Sequence, residues 1–189
     1  DPGSNIPKLW EWLEAFDVKG TFKNQLHVVK GIVEEPDNNW YKLILSLWQD
    51  IDPGVRNTLF ENFIINASLL GYQKQCENKE KYNCNVPWAI LMDPTSACNL
   101  HCTGCWAAEY GNHMNLTYEE LDEIVKQGTA LGTYVYLYTG GEPLVRKKDL
   151  IRLCEAHPDC VFSSFTNGTL IDEEFADEML RVKNFVPAI

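Results

Sequence analysis

The sequence predicts an α/β protein in which a helical N-terminal region precedes a parallel sheet. Two observations carry this prediction. Residues 1–85 show helical apolar spacing with little glycine, whereas strand and helix patterns alternate from residue 86 to residue 189. Alternating strands and helices are typical of parallel sheets with crossover connections. We therefore expect a helical region over 1–85 and an α/β region over 86–189.

The helical region contains two runs of apolar residues at a spacing of three to four. They extend from Asn38 to Gln49 and from Val55 to Gln75, and Asp52-Pro53-Gly54 separates them. The second run predicts one broad apolar face that packs in a core. That face consists of Leu59, Phe60, Phe63, Ile64, Ala67, Leu70 and Gly71. Nothing in this region has a pattern typical of catalysis.

The α/β region reads as three strand-loop-helix units and the start of a fourth strand. The continuous apolar run from Trp88 to Met92 predicts a first strand buried on both faces. Thr117 and Glu120 have the spacing of a capping box, which opens a helix that Gly132 closes. The later elements are strands at 133–138 and 161–165, helices at 148–156 and 173–182, the second capped by Asp172, and a strand from residue 185.

Unusual polar residues follow each of the first three predicted strands. The first loop contains Cys98, Cys102 and Cys105, the second contains Gly140-Gly141-Glu142-Pro143, and the third contains Thr166-Asn167-Gly168-Thr169. Loops at the C-terminal ends of parallel strands are where such folds place their active sites. The sequence thus predicts that these three loops converge on one site.

The three clustered cysteines form a candidate metal site. Their spacing allows one loop to hold three corners of an iron-sulfur cubane, whereas a structural zinc site usually takes four protein ligands. Zinc stays open as an alternative. The odd total of seven cysteines argues against a complete disulfide framework. Cys154 and Cys160 are expected to be buried small residues.

The cysteine spacing, combined with Gly-Gly-Glu-Pro one unit later, resembles the radical S-adenosylmethionine (radical SAM) superfamily. The resemblance covers residues 88–189 and implies a partial (β/α) barrel of which this chain holds the first three to four of six units. It also implies a [4Fe-4S] cluster on Cys98, Cys102 and Cys105, with S-adenosylmethionine on the fourth iron. Reductive cleavage would then give a 5′-deoxyadenosyl radical that abstracts hydrogen from an unidentified substrate, so the resemblance implies an enzyme.

The same resemblance implies roles for residues in the other loops. The loop Gly140, Gly141, Glu142 and Pro143 would bind the methionine amino group, because glycine permits close backbone approach and a carboxylate accepts bonds from an ammonium. A plain turn is the alternative.

Two further side chains are candidates. Asn167 would contact the ribose or carboxylate of the cofactor, although Asn-Gly is also a common turn. Trp106 would stack on the adenine or cover the cluster. Gly104 stands where the family usually has an aromatic residue.

The composition bounds the partners. A net charge of −11 disfavours nucleic acid and anionic membrane surfaces, and no apolar run is long enough to span a membrane. With no leader pattern at its start, we expect a cytoplasmic protein, and the initial Asp suggests a piece of a longer one. Expected partners are a small-molecule or peptide substrate and a reductant such as flavodoxin or ferredoxin. A non-catalytic iron-sulfur or electron-transfer module is the alternative function.

Overall fold

The computed structural model describes residues 2–17, 20, 23–35 and 37–189, and by its contacts the chain divides into compact units of residues 1–56 and 57–189. The first unit contains the helices α1 (Pro2–Phe16), α2 (Lys23–Val33) and α3 (Asn39–Asp50). The side chain of Asn38 caps α3 by accepting the N–H of Trp40 at 2.8 Å. This helix confirms the prediction for residues 38–49.

A long helical run follows, and it confirms the second predicted helix while extending it. It consists of α4, Pro53–Phe60, a π-helical stretch, Glu61–Gly71, and α5, Tyr72–Tyr82. Asp52 begins it, because its carboxylate accepts the N–H groups of Gly54 and Val55 at 2.8 and 3.0 Å. The compact unit that contains the sheet starts at Asn57, so the part of this run from Asn57 onward belongs to the same unit as the sheet. The domain boundary between 85 and 86 stays a prediction.

The predicted apolar face of this run is confirmed at Ala67 and Gly71 and wrong at Phe63 and Leu70. Its buried residues are Asn62, Ala67, Gly71 and Gln75, whereas Phe63 and Leu70 are exposed. The step of five residues from Asn62 to Ala67 matches the winding of a π-helix, which brings i and i+5 onto one face.

Polar side chains face the sheet because they bind carbonyl groups that precede two strands. Asn62 Nδ2 donates to the carbonyls of Pro158 and Cys160 at 2.7 and 2.9 Å, and Gln75 Nε2 donates to that of Gly132 at 2.7 Å. Buried carbonyl groups need such partners. The helical run therefore caps the N-terminal ends of the strands, at the opposite end of the sheet from the three polar loops.

The sheet has four parallel strands, as predicted, and their order is β1-β2-β3-β4. They are β1 (Ala89–Met92), β2 (Val135–Tyr138), β3 (Val161–Phe165) and β4 (Phe185–Ala188). The register aligns Ile90, Tyr136, Phe162 and Phe185 in one row and Leu91, Leu137, Ser163 and Val186 in the next. Successive rows point to opposite faces of the sheet.

Three helices pack on the face that carries Tyr136 and Phe162. They are α6, Tyr118–Leu131, α7, Lys147–Ala156, and α8, Glu173–Val182, and they build the main core with the strands. The other face is more open, and Leu91 is 59% exposed there. The prediction that the first strand is buried on both faces is therefore wrong, because β1 is an edge strand whose apolar run faces an open side.

The local signals at helix ends are confirmed. Thr117 and Glu120 form a reciprocal capping box, Gly132 ends α6 at a φ of 105°, and Asp172 caps α8 by accepting the N–H of Phe175. Cys154 and Cys160 are buried, as expected. Among the described residues, none of the helices has both the length and the apolar character needed to cross a bilayer.

Candidate cofactor site

The cysteine loop leaves β1 and is closed at its base. Thr95 and Asn115 form an antiparallel bridge, and the N–H of Ser96 donates to the carbonyl of Met114 at 2.8 Å. The Oγ of Ser96 in turn accepts the N–H of Met114 at 3.1 Å, and the Oγ1 of buried Thr95 donates to Asn115 Oδ1. The ends of the loop are thus held together while its middle extends outward.

All three predicted ligands lie in this loop as free thiols. Cys98 is half-buried, and Cys102 and Cys105 are exposed. The N–H of Leu100 donates to the sulfur of Cys98 at 3.5 Å, which fixes that thiol near the backbone. Within the part of the chain that the structure describes, no three His, Cys, Asp or Glu side chains are close enough together to hold a metal ion.

A tight turn connects the second and third cysteines. The N–H of Cys105 donates to the carbonyl of Cys102 at 3.2 Å, and Gly104 has a φ of +75°. A positive φ at the third position of a turn favours glycine. This geometry gives a physical reason for glycine at position 104.

The two glycines after β2 interlock with the cysteine loop. A Cβ on Gly141 would lie 2.2 Å from the carbonyl oxygen of Ala97, and one on Gly140, whose φ is +106°, would lie 2.7 Å from that of Thr95. Backbone bonds join the same segments, from Gly141 N–H to Thr95 at 3.0 Å and from Glu142 N–H to Ala97 at 2.8 Å. The two glycines therefore fix the position of Ala97, the residue that precedes Cys98.

Pro143 is buried and opens a short 3₁₀ helix, Pro143–Arg146, which sequence reasoning did not predict. The guanidinium of Arg146 donates to the carbonyls of Leu116 and Pro94 at 2.8 and 3.3 Å. Because these two carbonyls flank the cysteine loop, Arg146 ties the second loop to the base of the first.

Glu142 points into the protein and is 1% exposed. Its Oε1 accepts the N–H of Leu144 at 2.9 Å and the hydroxyl of Thr166 at 2.6 Å, and its Oε2 accepts the N–H of Asn167 at 2.8 Å. The carboxylate thus connects the second loop to the third. Its predicted contact with a cofactor amino group stays a prediction.

The side chain of Asn167 is also engaged within the protein. Its Oδ1 accepts the N–H and the hydroxyl of Thr169 at 3.0 and 2.6 Å, and its Nδ2 donates to Asn99 Oδ1 at 3.0 Å. Asn99 Nδ2 donates to Thr169 at 2.8 Å, so Asn99, next to Cys98, joins the first loop to the third. Sequence reasoning missed Asn99, and only its place beside a ligand could have suggested it.

Trp106 lies on the rim of the site. It begins a 3₁₀ helix, Trp106–Tyr110, is 60% exposed, and contacts Tyr110 edge to face with ring centroids 5.8 Å apart. Both rings line an open cavity of about 840 Å³ that also reaches Gly140 and Gly141. Met114 and Leu91 add apolar surface to this cavity. An aromatic ring beside the glycine loop suits a flat heterocycle.

Comparison with known proteins defines the class of protein. The sequence profile of the Radical SAM superfamily matches residues 92–189. The chain therefore belongs to the radical SAM superfamily, whose members are enzymes that use a [4Fe-4S] cluster and S-adenosylmethionine, and its sheet is part of their partial barrel.

Similar proteins span several chemistries. Fe-coproporphyrin III synthase of Methanosarcina barkeri is 37% identical over 101 residues, or 49% of this chain and 24% of that protein. GTP 3′,8-cyclase of Thermodesulfovibrio yellowstonii is 32% identical over 109 residues, or 53% and 33%. The structure of Streptococcus suis SuiB bound to S-adenosylmethionine has a TM-score of 0.50 and 23% identity over 63% of this chain and 28% of SuiB, and it supports the fold.

The chain spans about a quarter to a third of the length of these curated relatives. The residues in this chain fit the cofactors of the family in the chemistry of their donors. Three free thiols on one loop suit three irons, and the interlocked glycines bring backbone to the cavity edge. A cluster on these three thiols would require them to converge further, because no three described ligand groups are within metal-binding range of one another.

Proposed function

We propose that this chain forms part of a radical SAM enzyme in which Cys98, Cys102 and Cys105 hold a [4Fe-4S] cluster. When bound, the cluster and S-adenosylmethionine supply the electron and the cleavable sulfonium that yield methionine and a 5′-deoxyadenosyl radical for hydrogen abstraction. The chain's own residues bind the cluster, orient the cofactor and limit its access to water.

One observation carries this proposal. The loop with the three free thiols follows β1, and the backbone of Gly141 lies directly against the residue before Cys98. A metal ligand set and a close-approach glycine loop are thus parts of one structure. A closed structural metal site has no need of the second part, whereas an open catalytic site does.

The individual roles follow from position. The backbone of Gly140 and Gly141 lies at the cavity edge and would accept the cofactor's amino group. Trp106 lines the same cavity and would pack on the adenine. Asn167 lies in the third loop beside Asn99, where it would contact the ribose or the carboxylate of the cofactor.

A non-catalytic electron-transfer module is the second candidate, and one observation favours it. Cys102 and Cys105 are exposed, so a cluster on them would lie near the surface, where electrons exchange readily. Such a module has no use for the cavity beside Gly140. The two functions therefore differ in whether S-adenosylmethionine is consumed.

The test is anaerobic reconstitution of the protein with iron and sulfide, followed by dithionite and S-adenosylmethionine. We expect about four irons per chain and formation of 5′-deoxyadenosine, measured by chromatography. A variant with Cys98, Cys102 and Cys105 all changed to Ala should have neither, and Cys76→Ala, an exposed cysteine outside the loop, serves as its control. An unchanged iron content in the triple variant would exclude the three cysteines as cluster ligands. A wild-type protein that binds iron but forms no 5′-deoxyadenosine would favour the electron-transfer module.

The substrate stays unassigned. The names of the two curated relatives denote a porphyrin and a nucleotide chemistry, and SuiB has also been solved with a precursor peptide. We infer that the matched part serves the cofactor chemistry that these proteins share. A small molecule or a peptide as substrate, a flavodoxin or ferredoxin as reductant, and a cytoplasmic location stay predictions.

A further inference from the structure

The strongest unassigned feature is the buried carboxylate of Glu142. Among the described residues, the carboxylate accepts hydrogen bonds from Leu144, just after the second loop, and from Thr166 and Asn167 in the third loop. The two neighbouring cationic side chains are engaged elsewhere, Arg146 with Asp149 and Lys147 with Asp172. The carboxylate is therefore stabilised by neutral donors alone among the described contacts.

A further hydrogen bond fixes the direction of this network. The Oγ1 of Thr166 accepts the N–H of Gly168 at 3.1 Å while its own hydroxyl hydrogen points to Glu142. Three consecutive residues, Thr166, Asn167 and Gly168, are thus held through one carboxylate. A buried carboxylate bonded in this way resists displacement, because each freed N–H would be left without a partner.

We propose that Glu142 is a positioning residue that holds the third loop in its cofactor-binding arrangement, and that it acts through Thr166 and Asn167 without itself contacting the cofactor. This inference rests on the proposed function. It also gives the acidic residue of Gly-Gly-Glu-Pro a different task from that of the two glycines, whose backbone lies at the cavity.

Glutamine cannot replace this carboxylate, although it has the same shape. With the amide oxygen at Oε1, the amide nitrogen would face the N–H of Asn167. With the amide turned over, the amide nitrogen would face the N–H of Leu144. Either orientation sets a donor against a backbone donor. Glu142→Gln therefore removes the connection without removing volume.

The test measures two properties in matched variants. Backbone hydrogen exchange over residues 166–169, followed by mass spectrometry without any cofactor, reports the loop itself. Calorimetric titration of the reconstituted protein with S-adenosylmethionine reports binding. The variants are Glu142→Gln, Thr166→Val, and Thr166→Ser, which keeps the hydroxyl. Glu123→Gln is the control, since Glu123 is exposed and accepts a hydrogen bond from Gln127 on its own helix, α6.

We expect Glu142→Gln and Thr166→Val to speed exchange in the loop and to weaken cofactor binding about tenfold. Thr166→Ser and Glu123→Gln should match the wild type. A double variant that combines Glu142→Gln with Thr166→Val should bind the cofactor no worse than Glu142→Gln alone, because both substitutions break the same hydrogen-bond network. Cluster content should stay unchanged in all of them.

Two results would overturn the inference. If Thr166→Val binds normally while Glu142→Gln does not bind, the carboxylate contacts the cofactor directly. If exchange in the loop is the same in Glu142→Gln and wild type, the carboxylate does not hold the loop. A wild-type protein that contains the cluster but does not bind S-adenosylmethionine would instead overturn the proposed function, and with it the cofactor role of Glu142. The hydrogen-exchange data would still decide whether Glu142 holds the third loop.

Discussion

The contact between Gly141 and the cysteine loop predicts a large effect for Gly141→Ala. The added Cβ would lie 2.2 Å from the carbonyl oxygen of Ala97 and 2.6 Å from that of Ser96, whereas real Cβ atoms essentially never approach closer than 3.0 Å. The atoms that it meets belong to the backbone, so no side chain can rotate away. The two loops have to separate by about 0.8 Å, the difference between 3.0 and 2.2 Å.

The magnitude follows from what this separation disturbs. Overpacking of a close contact costs about 1–3 kcal/mol. The movement also stretches the bonds from Gly141 N–H to Thr95 and from Glu142 N–H to Ala97, now 3.0 and 2.8 Å, each worth about 1 kcal/mol. The free energy of unfolding should therefore fall by about 1–5 kcal/mol, a large part of the roughly 5–15 kcal/mol that is usual for a folded domain.

The assay is urea unfolding followed by far-ultraviolet circular dichroism, with Gly104→Ala as the matched control. Gly104 lies in the same cysteine loop at a φ of +75°, but nothing lies within 4 Å of an added Cβ. Its substitution should cost only the backbone strain of about 1–2 kcal/mol. If Gly141→Ala destabilises the protein no more than Gly104→Ala does, the argument that the loops interlock through the glycine is refuted.

Three further predictions concern other parts of the sheet unit. Gly128→Ala should destabilise by about 2–4 kcal/mol, and Tyr136→Phe should relieve part of that cost in urea unfolding, because the new Cβ would lie 2.2 Å from the Tyr136 hydroxyl; additive losses would contradict this. The hydrogen bond from Lys126, and a further one from His157, lower the pKa of Asp122. The ionised Asp122 carboxylate therefore stabilises the folded state fully above about pH 4, and this stabilisation is lost as the pH falls through the lowered pKa. Asp122→Asn should therefore cost about 1 kcal/mol at pH 7 and less at pH 3, and a constant difference between these pH values would refute the role. Asn99→Ala should speed loss of a reconstituted cluster to a chelator about threefold while changing overall stability by less than about 0.5 kcal/mol; an unchanged rate would show that Asn99 does not steady the loop.

The sequence was sufficient for the elements of the sheet unit, because their signals are local. Strand β3 and helix α8 agree with the predicted bounds, and Thr117 and Gly132 mark the ends of α6 as expected. Caps and alternating strand and helix patterns depend on residues a few positions apart. The cysteine and glycine loops could be placed at one edge of the sheet for the same reason.

The errors have a common physical origin in partners that are distant in sequence. Hydrophobic spacing could not show that Asn62 and Gln75 would be buried, since the carbonyls that they bind belong to loops 57 to 98 residues away. Nor could a continuous apolar run show that β1 lies at an edge of the sheet. Periodicity reports which residues avoid water but not which polar groups have found partners inside.

The direction of the Glu142 side chain is a separate case, in which the structure adds contacts that the sequence could not show. Its motif predicted a carboxylate available to a ligand, because sequence spacing gives no side-chain orientation. The structure turns it inward to Thr166 and Asn167, 24 and 25 residues further along the chain. A loop rich in glycine has little side-chain packing of its own, so a conformation suited to a ligand has to be fixed from elsewhere.

The three loops together show which part of the cysteine loop is tied to the sheet. The thiols of Cys102 and Cys105 lie at the outer part of a loop whose base is held by the Thr95–Asn115 bridge and by Gly141. On the proposed function, a fixed base and an exposed outer part would let the three thiols close on a metal cluster without a change in the sheet. Binding energy would then be spent on ordering one loop instead of on refolding, which is the advantage of a site carried by a rigid scaffold.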